Sequence, residues 1–425
     1  MLLTRFIKDR RGGVAPMLAI AALPLIGGIG AAIDYTQAST TRTAFQNALD
    51  ATALMLSRNA ATTSAADLQT NATNYFGAIF HRPEASNVVV NASYSSTNGS
   101  QLVVSGTATV NTRFVRILGV DQININASAT SKWGNTRLRV ALVLDNTGSM
   151  ASDGKMDALK TASKNLLTQL KNAAAQDGDV YVSIIPFSKD VNMDPANYQA
   201  SWIRWDLWDA ANGTCSDTSR HSQSSCVNHN GTWTPAAHST WNGCVTDRDQ
   251  NFDTTNDASI AGATLYPAEQ YNSCSAPLMG LSYDWDSLNA KIDAMKPAGN
   301  TNQAIGLQMG WQSLTASPFT IPAKDPHYNY QQVVILLSDG LNTEDRWYNS
   351  ASSIDTRQSK TCTNIKSAGI IIYSVQVNTG NDPTSTLMKN CASDTSKFFL
   401  LTSADQMITT FGQIGTALSN LRLSM

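Results

Sequence analysis

Residues 140–150 read VALVLDNTGSM. Val140 to Leu144 are uniformly apolar, the composition of a strand covered on both faces. Directly after them, Asp145, Thr147 and Ser149 put side-chain oxygens on alternate positions. Open parallel α/β sheets bind ligands at the carboxyl ends of their strands. One carboxylate and two hydroxyls there form a hard, oxygen-only half-shell, suited to Mg2+ or Mn2+ rather than to zinc or copper. Three short ligands do not fill an octahedron, so further oxygens are expected at other strand ends. PAGNTNQA places Thr301 in a loop just before a helix, and VVILLSDGLNT places Asp339 at the end of an apolar strand. Taken singly, a strand-end aspartate is a helix cap or turn former, and SDG is a common turn. It is the three loops together, in order, that point to a metal.

Around this stretch, apolar strands alternate with amphipathic helices. RVALVLD, VYVSIIPFS, QQVVILLSD, IIIYSVQV and the short KFFLL read as strands. KMDALKTASKNLLTQL, WDSLNAKIDAM, NQAIGLQMGWQSL, DTRQSKTCTNIKSAG, TSTLMKNCAS and ADQMITTFGQIGTALSNLRL have helical period. The predicted fold over residues 136–425 is α/β, a doubly wound parallel sheet covered on both faces. Residues 190–282 break the pattern. They carry Trp202, Trp205, Trp208, Trp233 and Trp241, and Cys215, Cys226, Cys244 and Cys274. So long a stretch without periodicity reads as an insertion within the domain, a small subdomain stapled by disulfides whose pairing the sequence leaves open. Its tryptophans pack a small core or form a binding face for a glycan or protein. His221, His229 and His238 lie among these cysteines, but the spacings match no zinc motif. Cys362 and Cys391 sit in the helices before and after IIIYSVQV, and a Cys362–Cys391 disulfide is predicted; two buried thiols are the other reading.

The chain has 425 residues, formal net charge −2 and only 15% charged residues. Nothing in that balance suggests a nucleic-acid partner. The first eleven residues carry Arg5, Lys8, Arg10 and Arg11 against a single Asp9, and residues 12–33 carry no charge. As a helix rising about 1.5 Å per residue, that run spans roughly 30 Å, the thickness of a bilayer's hydrocarbon core. The expected arrangement is a cytoplasmic N-terminus (1–11), a transmembrane helix (12–33) and the bulk of the chain outside. A cleaved signal peptide is the competing reading, but IGAAIDY is a poor cleavage site. Six cysteines in an even set fit an oxidising compartment.

The helical pattern continues beyond the apolar run, with Ala44, Ala48, Ala51 and Met55 on one stripe, so a single helix over about 14–60 is expected. NVVVNASYS, QLVVSGTATVNT and INASATSKW then alternate apolar with small polar residues, and TNGS marks a turn. Residues 34–135 thus read as a helix plus a small antiparallel sheet, a pilin-like order of elements.

D-x-T-x-S after a first strand, a later G-N-T-N loop and an apolar strand ending in S-D-G resemble a von Willebrand factor A domain with its metal-ion-dependent adhesion site. The resemblance implies that Asp145, Thr147 and Ser149 form the first loop of that site. Thr301 would be the second-loop ligand, and Asp339 the third-loop ligand acting through water. The family more often has serine where Thr147 stands; the hydroxyl is kept. It also implies binding rather than turnover, with the open coordination position filled by an acidic side chain of a partner. Asp345 and Glu344 are the nearby groups that could serve a hydrolase as base, and no nucleophile–base pair accompanies them.

DRRGGVAPMLAIAALPLIGGIGAAIDY, RTAFQNALDATAL and the tail KFFLLTSADQMITTFGQIGTALSNLRL are similar to TadG-type proteins of tight-adherence (Flp) pilus assembly. Related pseudopilins are cleaved after a glycine with a glutamate five residues on. Here that position is Met17 or Leu18, and the helix is expected to stay in the membrane. The implied function is a non-enzymatic, single-pass component of the bacterial inner membrane, its bulk periplasmic, that grips an acidic residue of a pilus or envelope protein through the metal. A surface adhesin holding a host or glycan ligand through the same site is the other reading.

Overall fold

The computed structural model describes residues 14–60, 62–96, 100–133, 136–380 and 383–423. The chain divides into two compact units between Asn135 and Thr136.

In the first unit, one long helix, α1 (Val14–Ser57), runs on from the apolar stretch. The side chains of Leu25, Ile26, Ile29 and Ile33 are exposed, whereas Phe45, Ala48, Leu49 and Ala53 are buried. The expected membrane span begins at residue 12, outside the described residues. Among the described residues no helix is long and apolar enough to cross a membrane. A second helix, α2 (Ala65–Ile79), starts at Ser64, whose hydroxyl accepts the Asp67 N–H at 3.1 Å and donates to the Asp67 carboxylate at 2.7 Å. This reciprocal cap satisfies an amide that the first turn leaves unpaired.

Both helices cover a three-stranded antiparallel sheet, β1 (Ala85–Ser95), β2 (Ser100–Asn111) and β3 (Gln122–Trp133), with β2 in the middle. Leu102, Val104, Ala108 and Val110 of β2 alternate inward onto Phe45, Leu49 and Phe76, as the two-residue side-chain period of a strand requires. At Gly106 a Cβ would lie 2.8 Å from the Phe45 ring and 2.9 Å from the Val89 carbonyl, so only glycine lets the helix approach the sheet this closely.

In the second unit the strands of the main sheet are β4 (Thr136–Asp145), β5 (Val180–Phe187), β6 (Val191–Asn192), β7 (Cys244–Val245), β8 (Met279–Ser282), β9 (Asn329–Ser338), β10 (Ile371–Val377) and β11 (Phe398–Leu401). They form one sheet in the order β7-β6-β5-β4-β9-β10-β11, with β8 also paired to β5. The pairs among β5, β4, β9, β10 and β11 are parallel; β6, β7 and β8 add antiparallel pairs. Central β4 is buried from Leu138 to Asp145. Its Leu138, Val140, Leu142 and Leu144 point into one layer, with helices α3 (Lys155–Ala173), α4 (Trp285–Asp293) and α8 (Gln406–Leu423). Ala141 and Val143 point into the other, with α5 (Gln303–Thr315), α6 (Ala351–Ser367) and α7 (Thr386–Cys391). A central parallel sheet covered on both faces is therefore what the continuous apolar strands produce.

Residues 190–282 do not stand apart from this sheet. Their β6, β7 and β8 extend its β5 edge, and Trp208, Trp241, Val245 and Tyr266 join the second core layer. Trp208 and Trp241 are fully buried, and Trp205 stacks on His238 with ring centroids 3.8 Å apart. Most of the aromatic content of the insertion is thus packing. The cysteines are paired as Cys215–Cys226, Cys244–Cys274 and Cys362–Cys391, with none free. The predicted Cys362–Cys391 bond joins α6 to α7.

Candidate metal centre

Asp145 is fully buried at the end of β4. One carboxylate oxygen accepts the Thr147 N–H at 2.9 Å and the Thr147 hydroxyl at 2.5 Å; the other accepts the Ser338 hydroxyl at 2.5 Å. Thr147 Oγ1 lies 3.0 Å from Ser149 Oγ, and Ser149 donates to Asp339 Oδ1 at 2.6 Å. Asp339 Oδ2 accepts Lys155 Nζ at 2.5 Å. Four of the five sequence-predicted residues therefore form one chain of oxygen contacts. Burial, with the Asp339 carboxylate nearby, pushes the Asp145 carboxyl up to about 6, because removing a charge from water and facing it with a like charge both disfavour ionisation.

Thr301 enters by its loop. Gly148 N donates to Gly299 O at 3.0 Å, which ties the first loop to the second. Thr301 N donates to Thr343 Oγ1 and Thr301 O accepts from Thr343 N, each at 2.8 Å, which ties the second to the third. Thr301 is buried, and among the described residues its hydroxyl makes no hydrogen bond to the other four.

The donor set, carboxylates and hydroxyls without nitrogen or sulfur, is the chemistry that a small hard cation takes. Ligands about 2.1 Å from Mg2+ at adjacent corners of an octahedron lie about 3.0 Å from one another, and the Thr147–Ser149 oxygens are 3.0 Å apart. Two carboxylates against one ammonium leave the cluster net negative. Among the described residues no group of three or more His, Cys, Asp or Glu could hold a metal, so a cation here would depend on the hydroxyls.

Sequence reasoning missed Ser338 and Lys155. Ser338 is visible in the SDG motif but reads as the last residue of a strand. Lys155 reaches the site only because the start of α3 passes the end of β9. Asp345 and Glu344 are committed elsewhere. The buried Asp345 carboxylate accepts the Trp347 and Tyr348 amides at 2.7 and 2.5 Å, and Glu344 accepts from the Asn300 side chain. The insertion reaches the second loop through Asn302, whose amide donates to Asp247 at 2.9 Å. Burial, then the charge of Asp345, pushes Asp247 up to about 7.

Residues 268–413 match the von Willebrand factor type A domain model. That match contains the Thr301 and Asp339 loops; the Asp145 loop precedes it, across the insertion. Residues 12–58 match the Flp pilus-assembly TadE/G-like family model. No curated protein matches the chain. Among solved structures, it is similar to the pilus adhesin SpaC from Lactobacillus rhamnosus GG at 15% identity and a TM-score of 0.39. It spans 80% of this chain but only 36% of that one. The von Willebrand domain of the type V pili tip protein Mfa5 from Porphyromonas gingivalis is 11% identical, covering 68% of this chain and 97% of that one at a TM-score of 0.39. Proximal thread matrix protein 1 from the mussel byssus, solved with a zinc-occupied adhesion motif, is 14% identical over 67% of this chain and 46% of that one, at 0.35.

Within the second unit, residues 268–413 carry the match to the von Willebrand factor type A domain. With the TadE/G-like segment ahead of it, the chain has the organisation of a TadG-type, pilus-associated protein.

Proposed function

We propose that Asp145, Thr147, Ser149, Thr301 and Asp339 hold a divalent cation, Mg2+ or Mn2+, and through it bind an acidic side chain of a pilus or envelope protein. The observation that carries this reading is the continuous oxygen chain from Asp145 through Thr147 and Ser149 to Asp339, which draws together residues 190 positions apart. When bound, the cation supplies an electrophilic coordination position for a partner carboxylate. The chain's own residues prepare that position. Ser338 and the Thr147 amide orient the Asp145 carboxylate, and Lys155 steadies Asp339. Ser149 is exposed and leaves the cluster open to solvent, so a partner side chain can reach it.

The protein is anchored in the inner membrane by the uncharged run 12–33, with the cationic residues 1–11 in the cytoplasm and the type A domain in the periplasm. There it assembles or anchors the pilus, as a binding protein rather than an enzyme. The test is Asp145→Ala at unchanged protein level, with pili counted by electron microscopy and attachment scored in the same culture. Loss of pili supports the assembly role. Normal pili with lost attachment would replace it with adhesion, and normal pili with normal attachment would sink the metal-dependent mechanism.

A further inference from the structure

Between β2 and β3 the chain forms a loop whose tip, the short 3-10 turn Val115–Leu118, carries its apolar side chains outward. Ile117 is 87% and Leu118 71% exposed, and Phe114 and Val120 are also exposed. Isolated exposed apolar residues are ordinary, but a contiguous cluster on a loop marks an interaction surface.

This loop is fastened to α1 at one level. The buried Asp34 carboxylate accepts three successive amides, Arg113 N at 3.0 Å, Phe114 N at 2.8 Å and Val115 N at 2.8 Å. One turn earlier on the same helix, Gly30 lies against Phe114; a Cβ at that glycine would be 2.4 Å from the Phe114 Cβ. The loop is therefore held where the uncharged run ends, Asp34 being the first charged residue after it. The helix faces just before it are apolar and exposed as well, with Ile26 and Ile29 at 64% and 63%.

From this we infer that the Phe114–Val120 loop dips into the outer leaflet of the bilayer beside α1 and sets the depth at which the first unit sits. The occupant is lipid because the Asp34 and Gly30 contacts hold the loop beside the end of the uncharged run, where Ile26, Ile29 and Ile33 are themselves apolar and exposed. Arg113 precedes the turn and Arg116 lies within it, both exposed; their long side chains can reach back to headgroup level, where cations favour anionic lipid. Arg116 is paired with Asp121 at 3.2 Å in the open, an exposed pair that water screens and that a phosphate can exchange. Burying Ile117 and Leu118 in the acyl boundary would contribute through ordinary apolar transfer. The inference rests on the membrane anchor proposed above, and the two can fail separately.

The native cysteines are all paired, so a single introduced cysteine can carry an environment-sensitive fluorophore. The full chain is reconstituted into phosphatidylethanolamine–phosphatidylglycerol vesicles with the label at Leu25→Cys, Leu118→Cys or, as a control at the far end of the sheet, Ser93→Cys. Quenching by nitroxide-bearing lipids is then compared with quenching by aqueous iodide. The expected result is lipid quenching and a blue-shifted emission at positions 25 and 118, with iodide quenching only at 93. Lipid quenching at 25 with iodide quenching at 118 would overturn the loop inference and leave the anchor standing. Iodide quenching at both would overturn both. A label at 118 shielded from both quenchers, with shielding that rises with protein density, would assign the loop to a second copy of the chain and overturn the lipid assignment.

Discussion

The Lys155 ammonium lies 2.5 Å from the Asp339 carboxylate, closed off from solvent on both sides. It is the cation that the candidate centre already owns, and it offsets part of the repulsion between Asp339 and Asp145. Removing one partner from a buried ion pair typically costs about 3–5 kcal/mol. Lys155→Met should therefore lower the melting temperature of the metal-free protein. Added Mg2+ should raise it by more than in the wild type, because a divalent ion then answers the uncompensated carboxylates. Thermal unfolding of both proteins with and without Mg2+ checks this. Equal responses to Mg2+ would remove Asp339 from any metal site.

A second charge cluster links the insertion to the loop after Asp339. Asp249 accepts from Arg204 Nη1 and Nη2, at 2.6 and 2.9 Å, and from Arg346 Nη1 at 2.8 Å. The Arg204 hydrogen bonds, more than Arg346, hold its carboxyl down at about 2. A carboxyl depressed in the folded state stabilises the protein above its ordinary titration range, and that contribution is lost as pH falls toward the folded value. Discounted for partial exposure, it amounts to roughly 1 kcal/mol. Urea unfolding should show wild type more stable than Asp249→Asn at about pH 6, with the gap narrowing between about pH 4 and about pH 2. A gap that does not change with pH would refute the charge assignment.

Much of this was legible because the deciding residues end apolar strands. Asp145 and Asp339 stand where hydrophobic runs stop, with Thr147 and Ser149 in the loop after the first, and the parallel sheet follows from those runs. What was not legible depends on approach in space. Lys155 and Asp339 meet across 184 positions. The edge strands Val191–Asn192 and Cys244–Val245 are too short to show a period. Helix α2 could have been found: Ser64 with Asp67 is a start signal, and Leu68, Ala72 and Phe76 recur at helical spacing. The tryptophans of the insertion are ambiguous in sequence, because core packing and a binding face use the same residue type.

The Cys362–Cys391 bond closes a loop of 29 residues between α6 and α7. On the chain-entropy account, a loop of that size stabilises by about 3–4 kcal/mol. The double variant Cys362→Ala/Cys391→Ala should melt earlier by several degrees while keeping Mg2+ affinity, since neither helix end touches the oxygen cluster. Calorimetric Mg2+ titration beside thermal unfolding separates the two effects. A large loss of affinity at preserved folding would show that α6 and α7 position the site.

Gly299 stands where the second loop meets both the Asp145 loop and the insertion. Its φ of +82° is a region that residues with a Cβ adopt at a cost. A Cβ there would lie 2.7 Å from the Tyr271 hydroxyl and 3.0 Å from Ser273, both in the insertion. The same residue offers its carbonyl to Gly148 N, the bond that ties the Asp145 loop to the Thr301 loop. Gly299→Ala should therefore move the second loop away from Tyr271, stretch the Gly148 bond and shift the Thr301 loop relative to the Asp145 loop. The expected cost is about 1–3 kcal/mol of stability, with Mg2+ affinity lowered about tenfold or more. Tyr271→Phe removes the hydroxyl that the new Cβ would meet and should return part of both losses in the double variant. If Gly299→Ala weakens the fold but leaves Mg2+ binding untouched, Thr301 is not a ligand and the centre is built from the first and third loops alone.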